Sequence, residues 1–256
     1  MNNFTRIIHV IFLMIWLLPI SGCNGVLASP DADSPRLSAQ ECQTTLEEFQ
    51  VLKDIFNTKD RVNVNDYFSV LDHLSIESGY TLDYYYVLAE NFMGWPKLYA
   101  RPIEQTPLPN QSFEPYTEES KTPVDQGSWV QHIQIDDSKL GYFEFILLYT
   151  MGDQFKLFWH AENNDYTVIC GPSALEKEIK EHNIDEQVPD FLENAKKFRF
   201  EPKVVFKENF IEIQVIGFES WGGLSKSTFT LSRSFPHTIL ERVDETLVEC
   251  PCGVIY

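Results

Sequence analysis

The chain has 256 residues, 43% of them hydrophobic, and a formal net charge of −18. That apolar share belongs to a globular protein, not a disordered one, and the length suits one domain of ordinary size or two small ones. So acidic a chain lacks the basic face that phosphate binding requires, which excludes nucleic acid as an expected partner, and it is unsuited to lying flat on an anionic bilayer.

The first element reads as an export signal. Arg6 is the one charge ahead of an apolar run over 7–18, which His9 interrupts and Pro19 closes. The run is shorter than the roughly 20 apolar residues a spanning helix needs. Ile20-Ser21-Gly22-Cys23 follows, and this segment resembles the lipobox of bacterial lipoproteins. The resemblance covers only the start of the chain. It implies cleavage of the signal 1–22 just before Cys23 and a membrane anchor through lipid on that thiol. Isoleucine departs from the commoner leucine in the first lipobox position. Asn24, where that family uses aspartate for inner-membrane retention, implies an outer-membrane address facing the periplasm in a host that has one. The rival is ordinary cleavage after Ala28, which would discard Cys23 and free a soluble protein. Residues 23–36 hold Ser, Pro, Asp and Ala with few large apolar groups and read as a flexible tether.

Residues 37–256 read as a single α+β domain. Ser38-Ala39-Gln40-Glu41 is a capping box opening a helix over 39–57, and a shorter helix is expected from Asn65. Over 80–88, Tyr80, Leu82, Tyr84, Tyr86 and Leu88 recur at period two, which predicts an aromatic-rich strand with Tyr85 on the face opposite Tyr84 and Tyr86, one of the two faces being outside. A turn over 91–96 and a return strand over 97–101 complete a hairpin. Residues 102–127 carry five prolines and form a long irregular connection, the natural place for any subdivision.

A strand is expected over 129–135. Residues 138–150 have helical spacing and also many strand formers. Two strands, over 155–161 and 166–170, are expected to join across Glu162-Asn163-Asn164-Asp165. Ser173-Ala174-Leu175-Glu176 suggests a second capping box and a helix to 182, and 189–197 a short helix begun by proline. The remainder is strand-rich: 203–207, 210–218, 227–233, 238–244 and 246–250, with short turns that favour an antiparallel meander.

Four cysteines follow Cys23: Cys42, Cys170, Cys250 and Cys252. An oxidising compartment makes all four disulfide candidates. Cys250 and Cys252 are too close for an unstrained mutual bridge, so each is expected to pair with Cys42 or Cys170. A four-thiolate zinc site is the sharper alternative, against which stands the single residue between Cys250 and Cys252.

Chemistry is otherwise sparse. Trp159-His160-Ala161-Glu162-Asn163-Asn164-Asp165 is the densest polar cluster, where His160 as base and Asp165 as its orienter would suit a hydrolase; the same residue types are what a turn requires. His73, His132, His182 and His237 are scattered, without a closely spaced histidine–carboxylate set. Asp136-Asp137 reads as a solvated strand end. No motif implies a cofactor or a metal. Tyr85, Trp95 and Trp159 are candidates for a platform that holds a sugar ring or peptide. The favoured expectation is a non-enzymatic envelope lipoprotein that binds a protein or glycan. An acidic inhibitor of a basic toxin and the His160/Asp165 hydrolase are the alternatives.

Overall fold

The structure is a computed structural model that describes residues 36–88, 94–108, 129–158, 166–184 and 188–250. The chain falls into two units, Met1–Asp33 and Ser34–Tyr256, and the described residues all belong to the second. It is an α+β fold with a C-terminal antiparallel meander.

Helix α1 (Ala39–Thr58) starts as its capping box dictates. The Ser38 hydroxyl accepts the Glu41 amide at 3.1 Å, and the Glu41 carboxylate accepts the Ser38 amide at 2.8 Å. Leu46, Phe49, Leu52 and Phe56 form its buried stripe. A 3-10 helix, Val64–Ser69, replaces the expected α-helix from Asn65, because Asn63 caps it and Leu74 already belongs to strand β1 (Leu74–Ile76).

Strands β2 (Tyr80–Leu88) and β3 (Gly94–Pro102) pair as an antiparallel hairpin, Tyr80 opposite Pro102. Alternation puts Tyr85 on the side away from Tyr84 and Tyr86, yet Tyr85 is only 4% exposed. Its ring lies 5.9 Å from that of Tyr99, and the chain past β3 turns back so that the Leu108 amide donates to the Tyr99 hydroxyl at 2.9 Å. Tyr84 and Tyr86 are buried as well, so neither face is the outer one that was expected. Arg101, paired with Asp83 at 2.6 Å, also donates to the carbonyls of Pro102, Ile103 and Gln105 and so fastens that turn.

Of the strand expected over 129–135, only β4 (Ile133–Ile135) forms; Trp129–His132 is a 3-10 helix. Strand β4 pairs with β1, Leu74 opposite Ile135. Helix α2 (Lys139–Met151) follows, capped by Ser138. Every residue from Gly141 to Leu148 is buried. A helix apolar on all sides belongs inside a protein, and strand formers on it reflect that burial, not a strand.

The expected strand over 155–161 does not form over its described part, where Phe158 makes only an isolated bridge to Gly94. Strand β5 (Thr167–Val168) pairs with β7, and the turn expected across 162–165 lies outside the described residues. Helix α3 (Pro172–Glu181) is capped by the Gly171 backbone with proline in its first turn, and the second capping box is absent. Helix α4 is short (Phe191–Ala195), and Asp190, at φ 67°, closes it off from Pro189.

Strands β6 (Lys203–Phe206), β7 (Phe210–Glu219), β8 (Gly223–Ser232) and β9 (Ile239–Glu249) complete a five-stranded sheet with β5. β9 is one bulged strand where two were expected, its register shifting past Leu247. Ile211, Ile213, Val215, Phe229 and Leu231 join α1 and α2 in the main core, and Ile216, Phe218 and Leu224 join α3 and α4 in a second. Among the described residues, no helix is long and apolar enough to cross a membrane.

Cys42 and Cys170 are bonded to each other. This overturns the expected pairing of each with a C-terminal cysteine, and it removes two thiolates from any four-cysteine zinc site. The cause is local: the first turn of α1 lies against the segment joining β5 to α3, with the two Cα atoms 5.7 Å apart. Cys250 is disulfide-bonded too, with neither Cys42 nor Cys170 left as its partner.

Candidate functional site

The richest polar cluster sits where the β1/β4 ladder meets the start of α2. The pairing of Leu74 with Ile135 carries the next residues, His73 and Asp136, face to face; the Asp136 amide donates to the His73 carbonyl at 3.2 Å. Their side chains meet as well, His73 Nδ1 lying 2.5 Å from Asp136 Oδ2. The other oxygen of Asp136 accepts the Ser138 amide at 3.0 Å. Glu144 reaches back from α2, and its Oε2 accepts the His73 amide at 3.0 Å. Asp72 completes the group, with Oδ1 3.6 Å from His73 Nε2. A Cβ at Gly141 would strike Asp136 Oδ1 at 2.6 Å and approach His73 Cβ at 3.2 Å, so this close packing requires glycine.

The electrostatics follow from the geometry. The bond to Asp136 raises the His73 pKa above its ordinary value. Against the cost of its own burial, Asp136 is held low by His73 and Ser138. Glu144 is 1% exposed, and burial pushes it up to about 7. The chain holds one carboxyl poised near neutrality inside an apolar helix, next to an oriented histidine. Such a group can exchange protons or hold a cation.

A second feature is a cleft of about 260 Å³ between β3, α2 and β9. Trp129 and Tyr149 form an aromatic wall, their ring centres 6.3 Å apart. Lys97, Asp153 and Arg242 supply charge. Burial raises the Asp153 carboxyl, against the pull of the Lys97 ammonium 3.5 Å away. The Arg242 guanidinium lies over the Phe229 ring at 5.3 Å, and its Nε donates to Asp244 at 3.0 Å.

No family model, curated protein or solved structure matches this chain. His160, Asp165 and Trp159 lie outside the described residues, as do Cys23 and Cys252. Of the aromatic platform, Tyr85 is buried, and Trp95 is half-buried with the Lys97 ammonium 5.4 Å from its ring. Asp136 and Asp137 are not simply a solvated strand end: Asp136 holds His73, and Asp137 accepts Arg233 at 2.7 Å and the Tyr142 hydroxyl at 2.9 Å.

The polar cluster spans 73 positions of the sequence, from Asp72 to Glu144, so spacing could not reveal it. One signal was present: Glu144 stands alone in Tyr142-Phe143-Glu144-Phe145-Ile146, and a lone carboxyl there is costly unless it is used.

Proposed function

We propose that the chain is an exported lipoprotein, anchored to the cell envelope through lipid on Cys23, whose folded unit is a non-enzymatic domain that binds an acidic envelope glycan. The cleft of Trp129 and Tyr149 carries this reading. The half-buried Tyr149 ring, backed by the buried Trp129, suits the apolar side of a sugar ring, and fixed charges around it suit the sugar's hydroxyls and carboxylate. Lys97 and Arg242 favour an anionic sugar over a neutral one. The cleft is at the small end for a ligand site, which fits a chain end or a single ring.

The test is calorimetric titration of the full chain in detergent with muramic-acid-containing glycan fragments and with a neutral oligosaccharide. Saturable binding of the acidic fragments, weakened at least tenfold by Trp129→Ala and by Arg242→Ala, supports the proposal. Absence of binding, or binding indifferent to both substitutions, refutes it. The anchor is tested separately by metabolic labelling with palmitate, which Cys23→Ala should abolish.

A second reading, an acidic inhibitor of a basic protein, rests on β9. This strand pairs on one side only among the described residues, and its exposed stretch bears Glu241, Asp244 and Glu245 beside Arg242. Capture of a basic partner that is released by moderate salt would favour it over glycan binding.

A further inference from the structure

The cluster around His73 has the parts of a metal centre. Asp72, His73 and Glu144 each offer a ligand atom, and these atoms lie within 4.8 Å of one another. A tetrahedral ion bound at about 2.0–2.2 Å sets its ligands roughly 3.4 Å apart, so modest closure completes the set. Asp72 can supply that movement, since its side chain is 80% exposed.

Two further observations point the same way. The first concerns Glu144. Its Oε2 takes the His73 amide, and the residue is almost wholly buried in α2. A carboxylate buried in an apolar helix gains from a cation held against it. The second concerns His73. Asp136 engages Nδ1 and is itself fixed by the Ser138 amide, which leaves Nε2 as the coordinating atom facing Asp72. A carboxylate that orients a histidine through its far nitrogen is the usual support of a metal-bound imidazole.

We propose that Asp72, His73 and Glu144 bind a divalent transition-metal ion of the zinc class, with Asp136 as the positioning residue for His73. One imidazole with two carboxylates suits such an ion. Calcium takes 6–8 oxygen ligands and has no use for an imidazole nitrogen. Three protein ligands leave a fourth position open towards solvent on the Asp72 side. The ion ties the turn before β1 to the buried helix α2. This inference is independent of the glycan reading, because the cleft shares none of these residues.

The experiment is isothermal titration of zinc chloride into the tag-free, chelator-treated full chain in detergent, with calcium chloride as a parallel arm. One zinc per chain is expected. Asp72→Asn and His73→Ala should each weaken it at least tenfold, and Asp136→Asn by roughly 10–100-fold, the range for a group that orients a ligand. His132→Ala, whose ring is paired with Glu77, should leave binding unchanged. Asp72 is exposed, so its variant folds and keeps the test decisive. The proposal is overturned if zinc is not taken up stoichiometrically, if uptake is unaltered by Asp72→Asn and His73→Ala, or if calcium binds more tightly than zinc.

Discussion

Replacing both Cys42 and Cys170 by alanine is expected to lower the stability of the folded unit by about 5 kcal/mol at most. The bond spans 128 residues of sequence, and loop-closure entropy for a loop of that length gives about 4.9 kcal/mol at 25 °C. Part of this is offset wherever the unfolded chain keeps residual structure, so about 2–5 kcal/mol is the range to expect. Both cysteines are almost fully buried, and alanine at the two positions leaves only small voids, so the cross-link dominates. The double substitution is preferable to a reductant, which would also open the bond at Cys250. The assay is urea unfolding followed by tryptophan fluorescence. With a slope of about 2–3 kcal/mol per molar urea, the midpoint should fall by roughly 1–2 M. A fall of less than about 0.3 M, with an unchanged slope, would refute the argument that the bond acts by restricting the unfolded chain.

Three further outcomes can be measured in the same way. Ser38→Ala removes one half of the capping box and is expected to cost about 1 kcal/mol, seen as a lower urea midpoint. Gly217→Ala should be far more damaging, because a Cβ there would overlap the ring of Tyr166; a midpoint within error of the wild type would contradict that packing. Glu219 is raised above the ordinary carboxyl range by burial. A raised acid stabilises fully below its unfolded pKa, near 4.5, and that contribution is lost as pH rises through the folded value. Glu219→Gln is therefore expected to raise the midpoint more at pH 7 than at pH 4, and equal shifts at both would contradict the assignment.

What could be read in the sequence depended on whether the signal was local. The capping box at Ser38 and Glu41 predicted α1 because both partners lie within one turn. The period-two aromatics predicted β2 for the same reason. Residues 138–150 were ambiguous because a helix buried on every side has no polar face to mark its period. The pairing of β5 with β7 is a contact some 50 residues distant that no local pattern encodes. The cysteine pairing failed for the same reason: spacing spoke about Cys250 and Cys252, while the partner of Cys42 was decided by where α1 docks. The His73 cluster depends on a strand register and a helix approach together, so only Glu144, out of place in its apolar run, gave advance notice.

The bond between Cys42 and Cys170 also changes what a mechanical pull can do. Tension applied between the two ends of the folded unit enters near Arg36 and crosses to Cys170 through the sulfur pair, bypassing everything between. The bypassed segment includes the β2/β3 hairpin and α2, with His73 and Glu144. About 435 Å of contour length is thereby shielded from load, at roughly 3.4 Å per residue over the 128-residue separation. Stretching would draw out only the chain outside the loop closed by this bond and leave the His73 cluster under no direct strain until the covalent link itself was cut.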